Sequence, residues 1–163
     1  MPDSTQAAHA DVHAVVWTGT AVRLLDQRLL PHREAWLEYD SAAGVAEAIR
    51  TMVVRGAPAI GIAAGYGAAL AAHSAWQAAG PGWRAVFAAQ IATLRGARPT
   101  AVNLGWALDR MQVAAADLAG DPFPVLAAQA CAIHTEDIAA NHAMGELGAA
   151  LIAPGAAVVT HCN

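Results

Sequence analysis

Apolar residues cluster in short runs between His13 and Tyr39, and beyond Ser41 they recur at helical spacing. His13–Thr18 (HAVVWT) and Ala21–Leu25 (AVRLL) read as two strands joined at Gly19-Thr20, which makes a hairpin. Ala35–Tyr39 (AWLEY) reads as a third strand. Asp40 and Ser41 carry side chains that cap helices. After them Val45, Ile49 and Met52 fall at i, i+4 and i+7 on one helical face, with Glu47 and Arg50 on the other as a surface pair.

Arg55-Gly56-Ala57-Pro58 interrupts that helix, and Pro58 suits the first turn of the next, where its missing N–H has no intrahelical partner to lose. An Ala- and Gly-rich helix then runs to about Ala79, where Gly80-Pro81-Gly82 ends it. A further helix spans about Trp83 to Leu94. The loop Arg95–Thr100 follows, with Thr100 as the expected cap of the helix beyond. In that helix Leu104, Leu108, Met111 and Leu118 form the expected buried stripe, and Asn103, Arg110 and Asp117 the wet one. Asp121-Pro122 starts a last helix reaching about Leu151, with Ala140, Met144, Leu147 and Leu151 on one face. Pro154-Gly155 breaks it, and Ala156–Thr160 (AAVVT) reads as a buried strand of the kind found inside parallel sheets. The fold class is α/β: an α+β domain of small antiparallel sheet plus helical bundle, then one strand of a sheet otherwise absent. Residues 1–12 read as a leader, 13–153 as the domain and 154–163 as that first strand.

Composition narrows the field. At 163 residues, 56% hydrophobic and 13% charged, the chain has room for one domain and is far from the disordered class. The net charge is -4, and all nine cations are Arg with no basic stripe, so a nucleic-acid partner is not expected. Two cysteines, Cys131 and Cys162, do not make a disulfide scaffold, and the N-terminus has no basic region followed by an apolar run. A reducing cytoplasm is the expected setting. Gly56 to Trp83 contains no charge, long enough for a bilayer, yet it is mostly Ala and Gly with few Leu, Ile or Val. A buried helix packed closely by its neighbours is the expectation, not a membrane span.

Three places carry candidate chemistry. Arg55-Gly56-Ala57 at a helix start is an anion site in outline: free N–H groups, a partial positive charge, a residue without Cβ and a forked cation. An exposed Arg beside a turn explains the same residues. Arg98-Pro99-Thr100 repeats the arrangement, again with a plain capping loop as the alternative. Thr160-His161-Cys162-Asn163 follows a strand, the place where open α/β sheets bind ligands, and a Cys there can act as acid, base or nucleophile. His161 and Cys162 point to opposite faces and are no dyad. Cys131 and His134 at i, i+3 are too few for a metal site, and Glu136 and Asp137 look like a solvated helix face. Gly61, Gly65 and Gly67 follow no strand, so they are no dinucleotide fingerprint.

Four segments come in the order of a known family: Asp26-Gln27-Arg28-Leu29-Leu30-Pro31, Met52–Gly61, Arg98–Leu104 and Thr160–Asn163. Together they resemble the S-methyl-5-thioribose-1-phosphate isomerase family of methionine salvage, from about Val16 to the last residue. Related sugar-phosphate isomerases and the regulatory subunits of translation initiation factor 2B share that fold. The resemblance implies conversion of methylthioribose 1-phosphate to methylthioribulose 1-phosphate without metal or organic cofactor. It places Arg55, Gly56, Ala57 and Arg98 at substrate-binding positions and Cys162 at the active-site Cys. It also implies a Rossmann-like second domain that carries the acid–base Asp, with the site between domains, and a homodimer. The motif continues past Asn163 in the family, so these 163 residues alone are expected to be inactive. A non-catalytic regulatory subunit, or an isomerase of another sugar phosphate such as ribose 1,5-bisphosphate, are the competing readings.

Overall fold

A computed structural model describes residues 13–161. Strands β1 (Val15–Trp17), β2 (Val22–Leu25) and β3 (Trp36–Tyr39) form an antiparallel sheet in the order β1-β2-β3. Val15 pairs with Leu24, and Val22 pairs on its other side with Tyr39. The β1–β2 turn closes where the Thr18 N–H donates to the Ala21 carbonyl, with Gly19 at φ +98, a region L side chains avoid. Val22 and Leu24 point into the core and Arg23 points out, the alternation a half-buried strand requires.

Helix α1 (Ala42–Arg50) starts at Ser41, whose hydroxyl accepts from the Gly44 N–H at 3.3 Å. Its inner face is Val45, Ala46 and Ile49. Met52 does not join them: the helix has ended, the backbone is left-handed there (φ +60), and the side chain is half-exposed. Val53 and Val54 enter the core in its place. The Glu47–Arg50 ion pair forms on the surface and is worth little there.

Helix α2 (Ala57–Ala79) is the axis of the domain, with every residue from Ile60 to Ala72 buried. Its small residues let neighbours come close. A Cβ on Gly61 would stand 3.0 Å from the Asn103 carbonyl, and one on Gly67 would meet Leu94 Cδ2 at 2.9 Å and Val45 Cγ1 at 3.0 Å. Close packing by neighbours thus explains the uncharged run. Among the described residues no helix is long and apolar enough to cross a membrane.

A 3₁₀ turn at Gly80–Gly82 leads into α3 (Trp83–Ala97), followed by α4 (Val102–Ala115) and α5 (Phe123–Ala149). Leu104, Leu108 and Met111 are buried as the spacing predicts, and Leu118 packs against the core from beyond the helix. Asn103 leaves the wet stripe, because it packs on Gly61. Thr100 does not cap α4. Ala101 holds that position with no side-chain bond, and a turn closed by the Ala101 N–H on the Arg98 carbonyl at 3.0 Å sets the entry. The carbonyls at the other end of α4 are met by Arg84, which donates to those of Ala115 and Leu118 at 2.6 and 2.8 Å.

The last segment departs most from expectation. Helix α5 buries Leu126, Ala130 and Ile133, and nothing after Ile133. Met144, Leu147 and Leu151 share a face that is exposed. Residues 156–160 form no strand: a strand exists only as a member of a ladder, and no described strand lies alongside. Val159 is 96% exposed.

Candidate functional site

The corner before α2 is assembled from two loops. At the end of β2 the Asp26 N–H donates to the Ala35 carbonyl, and the buried Asp26 carboxylate accepts from Arg28 Nε (2.8 Å), Nη2 (2.7 Å) and the Arg28 N–H (3.2 Å). The Arg28 guanidinium holds the Asp26 carboxyl below the usual carboxylate range. The turn so made faces Gln27 toward the loop joining α1 to α2. Its N–H donates to the Val53 carbonyl at 3.0 Å and its side-chain amide to the Arg55 carbonyl at 3.4 Å.

Gly56 then takes φ +87, and a Cβ built on it would meet nothing within 4 Å. The glycine is required by the backbone, and open space lies beside it. From here α2 presents its first N–H groups, with Ala57 and Pro58 exposed in the first turn. Arg55 and Arg98 are both half-buried, and Arg98 sits at the end of α3 where the chain turns toward α4.

The starts of α2 and α4 border one cavity of about 430 Å³. Pro58, Gly61 and Ile62 line it from α2, and Val102, Asn103 and Trp106 from α4, with α5 closing the third side. A second cavity of about 420 Å³ shares Pro58, Ile62 and Asp137 with the first and adds Gly56, His134 and His142. The two loops singled out in the sequence are thus brought to the same side of the domain. Their side chains are not brought together: neither Arg55, Ala57 nor Arg98 lines either cavity. Cys162 lies outside the described residues.

Several residues here were given no role in the sequence. The Tyr66 hydroxyl and His134 Nδ1 stand 3.0 Å apart, and Trp17 stacks on the Tyr66 ring at 4.9 Å with planes 6° apart. Burial pushes the Tyr66 phenol above its ordinary range, with Cys131 beside it adding to the shift. Burial also pulls the His134 imidazole down, opposed by Asp137. A neutral imidazole can accept from the phenol, so the pair is satisfied without charge. Glu136 is tied to Arg110 of α4 by a two-pronged ion pair, and Asp137 reaches both cavities, so neither is merely a solvated face. His134 and Asp137 belong to the part of α5 that skirts the start of α2, a proximity no local pattern reports. Among the described residues no three of His, Cys, Asp and Glu gather closely enough to hold a metal ion.

Known proteins match this chain along most of its length. The model of the Initiation factor 2 subunit family matches residues 53–163. The chain is 57% identical over 152 residues to the methylthioribose-1-phosphate isomerase of Alkalilimnicola ehrlichii, covering 93% of this chain and 44% of that protein. It is 51% identical over 163 residues to that of Methylococcus capsulatus, covering all of this chain and 46% of that protein. It therefore spans a little under half the length of these curated relatives. Among solved structures, the 5-methylthioribose 1-phosphate isomerase of Pyrococcus horikoshii superposes with a TM-score of 0.77 at 35% identity, over 85% of this chain and 40% of that one. Subunit delta of the translation initiation factor eIF-2B from A. fulgidus gives 0.73 at 30% identity, over 88% and 43%.

Proposed function

The chain belongs to the Initiation factor 2 subunit family, and from that premise we propose that it is the N-terminal part of an isomerase converting 5-methylthioribose 1-phosphate to 5-methylthioribulose 1-phosphate in the cytoplasm. The observation that carries this reading is identity above 50% over nearly the whole chain to methylthioribose-1-phosphate isomerases. The geometry is in keeping with it. Two helices, each preceded by a loop Arg, begin beside one cavity with an apolar lining that includes Ile62, Val102 and Trp106. Arg55, the Gly56 corner and Arg98 would hold the phosphate, since forked cations and helix N–H groups both suit it. The apolar wall would suit the methylthio end, and Glu136 and Asp137 in the lining would repel the phosphate, so that it would be held outside this cavity by the loops that precede the two helices.

Phosphate on C1 blocks the ring opening available to a free aldose. The enzyme has to open the ring with the phosphate in place and then move a hydrogen from C2 to C1. On the proposed reading Cys162 assists that transfer, and residues 154–163 begin a second, Rossmann-like domain that supplies the acid–base Asp. A general acid–base has to reach the migrating proton, so the site is complete only between the two domains.

The test is turnover. The protein at its natural length, given 5-methylthioribose 1-phosphate, yields the ketose as read by proton NMR, and the 163-residue chain alone does not. Arg55→Ala in the natural-length protein raises KM by about 10- to 100-fold, the worth of a charged hydrogen bond. No conversion by the natural-length protein overturns the reading. The likeness to the A. fulgidus delta subunit favours a second reading, a non-catalytic regulatory subunit. A protein of that kind shows no saturable binding of a sugar 1-phosphate.

A further inference from the structure

The segment Val53–Arg55 lies between two left-handed corners, Met52 at φ +60 and Gly56 at φ +87. It belongs to no helix or strand, yet Val53 and Val54 are buried, so its backbone groups need partners. The Val53 N–H finds the Ala48 carbonyl at 2.9 Å. The carbonyls on either side of Val54 both go to a single residue from another loop: Gln27 donates its N–H to Val53 and its side-chain amide to Arg55. Gln27 is itself held by the neighbouring Asp26–Arg28 pair, which shapes its turn. We infer that Gln27 is a positioning residue that clamps the backbone at Val53 and Arg55, and so sets the direction in which Arg55 and the Gly56 corner face the ligand.

This inference rests on the proposed reading of Arg55 as a phosphate ligand. The side-chain bond is the informative one, because a substitution removes it while leaving the backbone N–H of residue 27 in place. Gln27→Glu puts an acceptor against the Arg55 carbonyl, and Gln27→Met removes the donor without adding charge. Two measurements on the natural-length protein decide the matter. The first is affinity for 5-methylthioribose 1-phosphate by calorimetry, and the second is the order of the Arg55 guanidinium by nitrogen relaxation. In both variants we expect affinity to fall about tenfold and Arg55 to become less ordered, with Tm held within about 2 °C, as for loss of one half-exposed bond. Unchanged affinity in Gln27→Met overturns the inference, even where Gln27→Glu binds weakly, since charge repulsion then explains the latter. If the unaltered protein does not bind the sugar phosphate, the functional reading fails instead. The relaxation data then decide alone: loss of Arg55 order in Gln27→Met supports the clamp, and unchanged order overturns it.

Discussion

The two halves of α5 are both rich in Ala and punctuated by large apolar side chains, and the molecule treats them oppositely. From Phe123 to Ile133 the helix lies on α2, where Gly65 leaves room for it: a Cβ there would be 3.5 Å from Ile133 Cδ1. Leu126, Ala130 and Ile133 are buried. From His134 onward comparable side chains face outward, and Leu147 is 75% exposed. Helical spacing of apolar residues creates a face. Only a neighbouring element turns that face into core: His134 and Glu136 still reach α2 and α4 through polar contacts, whereas Met144 and Leu147 are left exposed.

The sharpest way to break this contrast is to truncate the buried half. Leu126→Ala is expected to cost about 2–5 kcal/mol in urea unfolding, because it leaves a cavity in the core that the surrounding helices only partly close. A cost under 1 kcal/mol would mean the two halves are equally loose. The next effect concerns the close approaches to α2. Gly61→Ala drives a Cβ to 3.0 Å from the backbone of Asn103 and is expected to destabilise by about 1–3 kcal/mol. Gly65→Ala meets only ordinary contacts, so the better helix propensity of Ala should leave it neutral or stabilising by up to about 1 kcal/mol. If both alanines behave alike, the helices around α2 shift freely and Gly61 is not held by close packing on Asn103.

Acid should act on the boundary between the halves. His134 has a folded pKa below its unfolded one, so as pH drops the unfolded chain takes up a proton first. Stability is then full above the ordinary His range, near pH 6.5, and declines as pH falls through the lowered folded value. Asp26 has the same sign in a lower window: its contribution is present above the ordinary carboxylate range and lost as pH falls through its depressed folded value. His134→Gln should flatten the upper arm of a Tm-against-pH curve and Asp26→Asn the lower one. An upper arm that survives His134→Gln would place that titration elsewhere. The smallest effect belongs to the outer half: Leu147→Ala should change unfolding free energy by less than about 0.5 kcal/mol. A loss comparable to that of Leu126→Ala would show that this face is covered in solution.

Much of the fold is legible in local pattern. The hairpin around Gly19, the Ser41 cap, Pro58 in the first turn of α2 and the break at Gly80–Gly82 all stand where turn and cap chemistry puts them. The misreadings arise where a local rule competes with a neighbour. Met52 satisfies helical spacing but falls past a left-handed corner. Asn103 sits on a polar stripe but meets a glycine of another helix. Of the candidate site, Arg55, Gly56 and Arg98 stand out in the sequence because they precede helices. Gln27 and Asp137 do not, because their roles come from contacts with segments about thirty and eighty residues away.

By itself, then, the sequence determined the order of strands and helices and the starts of α1 and α2, since propensity, capping and turn geometry act within a few residues, though not the start of α4 or the fate of residues 156–160. Its four ordered motifs also sufficed to point to the family. Tertiary structure alone decided which apolar faces are core, that α2 is the axis, that the starts of α2 and α4 share a cavity, and that Gln27 holds the backbone of Arg55. Burial and hydrogen bonding between distant segments depend on which surfaces meet, and spacing along a chain does not encode that meeting.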